Sequence, residues 1–397
     1  MIKRFTKGII ACGMIAVICT GCAAKSNQSV SDNNTGDIVV SDSLKEDGVT
    51  ENSNKTDKNQ DKDDVSVSKL PEETPEADLS TDKPEVKEEY KTIKSNKKVV
   101  KYDTGVVVIG DTAYEQYNYV EDSSKKYIKA VNNIAKKLGK DVNVYDMIVP
   151  TSIGITLPDN KYDKVGSSDQ KKSIQKMYDM LSDNVKPVDI YDELMQHRTE
   201  YIYYRTDHHW TSLGAYYAYD AFCKVKEMMP NKLEDYKKAS FGRFKGSFYG
   251  ETNNAKSLRD DKTEVLYPID NDRISIKYTT ESGETLKGKV IEDASSFSEN
   301  LKYVAYIDGD NPYTVIRNKN IKDGSSCVVI KESFGNAFVP FLADHYSKIY
   351  VIDYRYWQGS ISKLVKDNSA TDVMFINNIS MTRNAYLIGK LSQLVEG

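Results

Sequence analysis

Three β-branched runs near the carboxyl terminus, separated from one another by helical patterns, constrain the fold most. They are SSCVVIKES, SKIYVIDYR and TDVMFINN. Upstream, VNVYDMIVP is typical of another short strand, and it follows residues 124–138, where apolar side chains recur at helical spacing. Strands that alternate with helices form a mainly parallel sheet with helices on both faces. The pattern therefore predicts an α/β fold.

Residues 241–318 interrupt this alternation. They are rich in Gly, Lys, Thr and Tyr, with short alternating runs in place of helical patterns. Such runs are typical of antiparallel strands that have one exposed face. We therefore expect an antiparallel insertion at about residues 241–318, inside a single large domain that covers residues 96–397.

The amino terminus has the pattern of an export signal. Three basic residues precede an apolar run at residues 8–19, which leads into the tetrapeptide CTGC. The run is too short for a mature membrane-spanning helix. Its ending resembles a bacterial lipobox, although Cys19 stands where that motif usually has leucine. We expect residues 1–21 to be a lipoprotein signal peptide and Cys22 to be lipidated, which would place the mature protein outside the cytoplasm on a lipid anchor. The alternative is an ordinary signal peptide with a chance cysteine.

Residues 22–95 are expected to form a disordered tether. The segment consists mostly of Ser, Asn, Asp, Lys and Glu and has almost no aromatic residues, so it cannot bury enough apolar surface to offset its ordering entropy. The net charge of the whole chain, −4, gives no indication of nucleic-acid binding. Only Cys223 and Cys327 remain beyond Cys22. They are compatible with one disulfide or with two buried thiols, and they lack metal-site spacing.

The segment YIYYRTDHHW carries half of a possible catalytic site. YIYYRT alternates like a strand, and in an extended segment Asp207 and His209 would face one side while His208 faces the other. A carboxylate beside an imidazole fixes its tautomer and supports the imidazolium that forms when the base takes a proton. The three residues could instead bind a metal, but no second cluster of ligands is evident in the sequence, so no metal and no cofactor are expected.

Ser333 is the candidate nucleophile. It follows the buried run Val328 to Ile330 and precedes Gly335 and a helical pattern. A serine at such a strand-to-helix turn lies at the carboxyl edge of the sheet, where the N-terminus of the next helix can stabilise an oxyanion. The alternative is an ordinary helix N-cap.

The segments YRTDHHWTSLGAYYAY and VVIKESFGNAFVPFLADHYSKIYVIDYRYW together resemble the DHHW protein family. That family is similar to the alginate O-acetyltransferases AlgX and AlgJ and to the SGNH-hydrolase superfamily. The resemblance implies an SGNH-like fold and a catalytic triad of Asp207, His209 and Ser333. Two departures from ordinary SGNH esterases are visible: the serine comes last, and Lys331 and Glu332 stand where those enzymes have a Gly-Asp-Ser block.

Four further residues are candidates for the same site, each with a plainer alternative. Arg355 follows another strand, and the related acetyltransferases carry an arginine at a comparable place; the alternative is a surface ion pair. Asn336 could donate to an oxyanion or lie on the helix surface. Trp210 and Tyr204 could stack on a sugar or pack against the sheet.

Taken together, these features predict an extracytoplasmic serine-dependent O-acyltransferase, with acetyl as the expected acyl group. Its acceptor is expected to be a cell-wall or secreted polysaccharide. Because acetyl-CoA is absent outside the cell, the resemblance implies a membrane-bound acyltransferase partner as acyl donor. Two alternatives stay open at this point: a carbohydrate esterase with the same triad, and a non-catalytic envelope lipoprotein that binds or scaffolds.

Overall fold

A computed structural model describes residues 90–395. The predicted signal peptide, Cys22 and most of the predicted tether lie outside the described residues, so these remain predictions. Within residues 90–395, none of the helices combines the length and the apolar content that crossing a bilayer requires.

The elements are numbered in chain order. The strands are β1 Val99–Lys101, β2 Val106–Ile109, β3 Thr112–Glu115, β4 Asn143–Val149, β5 Val185–Pro187, β6 Lys237–Phe244, β7 Asp261–Tyr267, β8 Ile274–Thr279, β9 Thr285–Gly288, β10 Tyr313–Asn318, β11 Ser326–Lys331, β12 Lys348–Asp353 and β13 Asp372–Asn378. The α-helices are α1 Glu121–Leu138, α2 Ser152–Ile155, α3 Tyr162–Val165, α4 Gln170–Tyr178, α5 Tyr191–Gln196, α6 Ser212–Lys226, α7 Ser247–Glu251, α8 Phe334–Leu342, α9 Ile361–Asp367 and α10 Ala385–Gln393. Short 3₁₀ helices cover Asp159–Lys161, Leu233–Asp235, Asn271–Arg273, Glu299–Ala305 and Ile379–Arg383.

The central sheet has eight strands in the order β5-β4-β13-β11-β12-β10-β8-β9. The first five are parallel to their neighbours, and β10, β8 and β9 pair antiparallel beyond β12. The predicted α/β class and the antiparallel insertion are confirmed. Because β10 pairs with the free edge of β12, the insertion extends the same sheet. The sheet is therefore mixed rather than purely parallel.

Helices cover both faces of this sheet. The chain moves from β11 through α8 to the neighbouring β12, then back through α9 to β13 on the other side of β11. Connections between parallel strands are right-handed in nearly all proteins, so two crossovers that run in opposite directions along the sheet are expected to place α8 and α9 on opposite faces. Helix α6 packs beside α8, and α1 packs beside α9 and α10. This arrangement buries Cys223 on α6 and Cys327 on β11, and both thiols are free.

The beginning of the domain lies outside the central sheet. Strands β2 and β3 form a hairpin in a separate three-stranded antiparallel sheet with β1. Residues 90–95, which the sequence assigned to the tether, also make specific contacts with the domain. Tyr90 donates its hydroxyl to Asp192 (2.5 Å), and the Ile93 N–H donates to the Asp159 carboxylate (2.8 Å). Specific polar contacts of this kind leave little trace in composition, on which the boundary was based.

Candidate active site

Ser333 lies where β11 gives way to α8, at the carboxyl edge of the parallel strands. It is the residue immediately before the first turn of α8, but its hydroxyl caps no N–H of that helix. The Ser333 Oγ lies 2.7 Å from the Nε2 atom of His209. The side chain is therefore directed at the imidazole and not at the helix that it begins.

His209 lies between Ser333 and Asp207. Its Nδ1 atom is 2.6 Å from the Asp207 Oδ1, and its backbone N–H donates to the same oxygen. The other carboxylate oxygen of Asp207 accepts the Ser247 N–H at 3.0 Å. Burial opposes ionisation of Asp207, but the charges of His209 and His208 and the hydrogen bonds from His209 hold its pKa below the usual range. An ionised Asp207 places a proton on Nδ1 and leaves Nε2 of a neutral His209 free to accept from Ser333.

The segment that carries these residues is a tight turn and not the extended strand expected from its alternation. The Tyr204 N–H donates to the His209 carbonyl (3.2 Å), and Tyr203 pairs with Trp210 across the turn. The prediction that His208 faces away from the site is therefore wrong. Its ring centroid is 3.9 Å from that of His209, and its Nδ1 contacts the Ser247 hydroxyl at 3.0 Å.

This turn also brings three possible metal ligands together. One donor atom each from Asp207, His208 and His209 lies within 4.8 Å of the others. The Oδ1 atom of Asp207 and both ring nitrogens of His209 already take part in the hydrogen bonds to each other and to Ser333. A cation held by these atoms would replace those bonds, so a metal centre and a triad are mutually exclusive uses of the cluster.

Tyr303, from the 3₁₀ helix Glu299–Ala305, covers the imidazole. Its ring stacks on His209 with centroids 3.8 Å apart, and its hydroxyl donates to the Ser333 carbonyl at 3.1 Å. Tyr303 was not among the residues predicted for the site, because nothing in the local sequence of the insertion distinguishes it from the other tyrosines.

A network of buried and half-buried charges lies beside the end of β11 that precedes Ser333. The ammonium of Lys331, 1% exposed, binds Asp353 (2.8 Å) and Asp310 (3.0 Å). Arg355 binds the same two carboxylates, and Asn336 donates to Asp310 at 2.8 Å. These contacts fix the end of β11 and the start of α8 relative to the loop after β12, which fixes the backbone on both sides of Ser333.

Two of the residues that the sequence predicted for the active site belong to this network. Arg355 reaches the expected edge of the sheet, but its guanidinium is engaged with Asp353 and Asp310. Asn336 is buried, and its amide group donates to Asp310, so it does not lie on the helix surface. Asp310 and Lys331 were missed by sequence analysis, since their pairing depends on contacts between the insertion and the parallel strands.

The two aromatic candidates belong to the core. Trp210 is fully buried, donates its indole N–H to the Phe334 carbonyl (2.9 Å) and packs against Phe338. Tyr204 is buried against Phe244 and Tyr303. Neither ring has the exposed face that stacking on a sugar requires, so these two predictions are wrong and the plainer alternative holds.

Sequence comparison identifies the family of this chain. The DHHW protein family matches residues 24–352. The chain belongs to the DHHW family. No curated protein matches it.

Solved structures are similar to this DHHW protein. A DHHW family protein from Eubacterium siraeum is 29% identical, with a TM-score of 0.66 over 75% of this chain and 98% of that one. PatB1 from Bacillus cereus, whose structure was solved with a sulfonyl adduct, is 18% identical, with a TM-score of 0.59 over 74% of this chain and 98% of that one. The O-acetyltransferase domain of Pseudomonas putida AlgJ is 12% identical, with a TM-score of 0.41 over 75% and 99%. The predicted DHHW family and α/β class are confirmed.

Proposed function

We propose that this DHHW protein is a serine-dependent O-acyltransferase that modifies a polysaccharide, with Ser333 as nucleophile, His209 as general base and Asp207 as its partner. The observation that carries the proposal is the continuous hydrogen-bonded series from the Asp207 carboxylate through both ring nitrogens of His209 to the Ser333 hydroxyl. Each member has the geometry that nucleophilic catalysis requires. The choice of an acetyl group and a polysaccharide rests on the resemblance of the DHHW segments to O-acetyltransferases.

In the first half-reaction, the Ser333 Oγ attacks the carbonyl carbon of the acyl donor while its proton passes to His209 Nε2. The negative charge that develops on the carbonyl oxygen would be stabilised by the N-terminus of α8, where Ser333 lies. The tetrahedral intermediate then collapses. The donor's leaving oxygen departs with the proton from His209, and an ester between the acyl group and Ser333 remains.

In the second half-reaction, a sugar hydroxyl attacks the ester carbon and gives its proton to His209. The Ser333 Oγ leaves as the carbon–oxygen bond breaks, and it recovers a proton from His209 Nε2. The acyl group is now on the acceptor and the enzyme is restored. With water in place of the sugar, the same residues give hydrolysis, so the balance between transfer and hydrolysis depends on the acceptor.

Acylation and acyl transfer can be tested with a small acetyl ester and a set of polysaccharide fragments. Acetate release and acetyl groups on the fragments are both measured by mass spectrometry. Ser333→Ala should abolish both products, whereas Ser360→Ala, which alters an N-cap serine of α9, should leave both unchanged. Acetylated fragments support a transferase, and acetate alone indicates an esterase. Absence of both products, with no labelling of Ser333 by a sulfonyl fluoride, would favour a non-catalytic binding or scaffolding protein.

We also propose that the protein is a lipoprotein held at the outer surface of the cell membrane, where a membrane-bound acyltransferase supplies its acyl groups. The basic and apolar start of the chain and the CTGC tetrapeptide support this location. Mass spectrometry of the native mature protein should find an acylated Cys22 at the amino terminus. An unmodified terminus at another residue would contradict the lipid anchor but not the reaction at Ser333.

A further inference from the structure

A buried carboxyl group lies against the nucleophile. Glu332, directly before Ser333, is 2% exposed. Its Oε2 atom lies 3.2 Å from the Ser333 Oγ and accepts the Phe334 backbone N–H at 3.3 Å, and its Oε1 accepts the N–H of Asn378 at 3.0 Å. The serine hydroxyl therefore has two close partners, His209 on one side and Glu332 on the other.

The protons in these contacts can be counted. A hydroxyl has one proton to donate. When Asp207 is ionised and His209 is neutral, Nε2 is an acceptor, so the Ser333 proton points at His209. The contact between Ser333 and Glu332 is then a hydrogen bond only if Glu332 supplies the proton. If Glu332 is ionised instead, its oxygen competes with His209 Nε2 for the single serine proton. The acceptor that does not receive this proton then has its lone pair facing a lone pair of the Ser333 Oγ.

The surroundings of Glu332 favour its neutral form. Burial raises the pKa of Glu332, while Arg355 from the loop after β12, the backbone N–H groups of Asn378 and Phe334, and His208 act in the opposite direction. Arg355 is already paired with two carboxylates, Asp353 and Asp310, which weakens its attraction for a third. Tyr303 and Tyr354 also face Glu332 from neighbouring elements, and His209 contacts the same Ser333 hydroxyl from the other side.

We propose that Glu332 is a protonated positioning residue whose carboxyl O–H donates to the Ser333 Oγ and thereby keeps the serine proton directed at His209. Ionisation of Glu332 turns the hydroxyl towards the new carboxylate and away from the base. The enzyme then requires two groups in defined states: His209 without its second proton and Glu332 with its proton. This inference rests on the function proposed above, because it concerns the reactivity of the same serine.

The wild-type full chain provides the first test. The rate at which a sulfonyl fluoride modifies Ser333 is measured against pH; Oγ attacks sulfur, fluoride leaves and His209 takes the proton. The rate should fall by about tenfold per pH unit above the pKa of Glu332. A rate that reaches a plateau and stays there at high pH would overturn the role of Glu332. No labelling at any pH would overturn the proposed function itself, and this inference with it.

The second test is Glu332→Gln, whose amide can donate to Ser333 at every pH. The fall at high pH should disappear, and the rate at the wild-type optimum should stay within about fivefold, the effect of one altered hydrogen bond. Glu251→Gln is the matched control, because Glu251 is a partly buried carboxyl near His208 that has no contact with Ser333. Its labelling rate should fall at high pH as in the wild type. If the labelling rate of Glu332→Gln fell in the same way, the proposal would be contradicted.

A third measurement does not depend on the folding of Glu332→Gln. The Glu251→Gln protein is prepared with its glutamates carbon-13 labelled in the carboxyl group. Its infrared spectrum should show the C=O stretching band of a protonated glutamate at neutral pH. This band should vanish over the pH range in which the labelling rate of Ser333 falls. Its absence at neutral pH would show that Glu332 is ionised and would overturn the proposal.

Discussion

The ring of Tyr303 lies almost parallel to the imidazole of His209, with 3.8 Å between the ring centroids and 14° between the planes. The hydroxyl of the same tyrosine donates to the backbone carbonyl of Ser333. One buried side chain thus contacts the proposed base through its ring and the proposed nucleophile through its polar end. An aromatic face stabilises a cation stacked on it, and His209 becomes a cation each time it takes the serine proton.

Two substitutions of Tyr303 separate these contacts. Tyr303→Phe keeps the ring and loses one hydrogen bond, so kcat should fall by about fivefold or less. Tyr303→Leu also loses the stacking and should lower kcat by on the order of a further tenfold, with little change in KM. Steady-state kinetics with a small acetyl ester measures kcat and KM for both variants. Thermal unfolding shows whether the lost packing has destabilised either variant. Equal kcat values for the two variants would show that the ring does not support the imidazolium.

The two adjacent histidines should differ sharply. His209→Ala removes the proposed base, and esterase activity should fall on the order of 10³-fold or more. Asp207→Asn should cost somewhat less, since the imidazole then adopts a poor tautomer. His208→Gln loses a contact with the Ser247 hydroxyl and should change the rate by about fivefold or less.

A chelator distinguishes this triad from a metal site at Asp207, His208 and His209. The triad predicts that a chelator leaves the wild-type rate unchanged. Equal losses in the His208 and His209 variants, together with inhibition by the chelator and recovery on adding metal, would contradict the triad. The comparison is made on the full chain, with Ser333→Ala as the inactive reference.

Sequence patterns predicted the parts of the fold that depend on local periodicity. The runs that became β11, β12 and β13 were recognisable because buried parallel strands are continuously apolar. The position of Ser333 after β11 followed from the same pattern. The structure brings it together with Asp207 and His209, and the catalytic role of the three stays a prediction.

Other features depended on contacts that local sequence does not encode. The alternation of YIYYRT suggested a strand. In the structure, Tyr203 and Tyr204 point in different directions, and each packs against a different part of the core. Tyr303 and Asp310 reach the site from an insertion whose path over the parallel strands is set by tertiary pairing. Burial of Trp210 likewise follows from the packing of the turn against α8.

Gly246 is required by the space around Asp207. A methyl group at Gly246 would lie 2.1 Å from the Asp207 Cβ and 2.4 Å from its Oδ2, so Gly246→Ala must displace the carboxylate. Activity should fall at least tenfold, because displacement weakens the bond that orients His209. Gly250→Ala, within α7, meets nothing within 4 Å and should retain full activity. Similar activity in both variants would contradict a role for the exact position of Asp207.

The contacts of Tyr90 and Ile93 predict where a stable domain begins. A chain that starts at residue 88 keeps the hydrogen bonds to Asp192 and Asp159, and a chain that starts at residue 97 loses them. The shorter chain should fold, but with a free energy of unfolding roughly 1–3 kcal/mol lower, as expected for a few partly exposed hydrogen bonds. Urea unfolding of both chains provides the measurement. Equal stability would show that residues 90–95 contribute no net energy.

Asp146 gives the domain a pH-dependent stability that is separate from catalysis. It is fully buried on β4, its Oδ1 accepts the Tyr127 hydroxyl at 2.6 Å, and its Oδ2 has no partner within residues 90–395. Burial raises the pKa of Asp146 to about 7, although the bond from Tyr127 opposes the shift. In the unfolded chain an aspartate has a pKa of about 3.9, so between these values the folded state binds more protons. The free energy of unfolding should therefore fall as pH rises from about 4 to about 7, by on the order of 2 kcal/mol between pH 5 and pH 8. Carboxylates such as Asp207 and Asp310, whose pKa values are lowered in the fold, contribute stability that is lost only at more acidic pH.

Urea unfolding at pH 5 and pH 8 measures the difference in the free energy of unfolding between these two pH values. This difference should be smaller for Asp146→Asn than for the wild type, and it should be unchanged for the exposed control Asp122→Asn. If the Asp146→Asn difference matched that of the wild type, Asp146 would be ionised in the fold across this range.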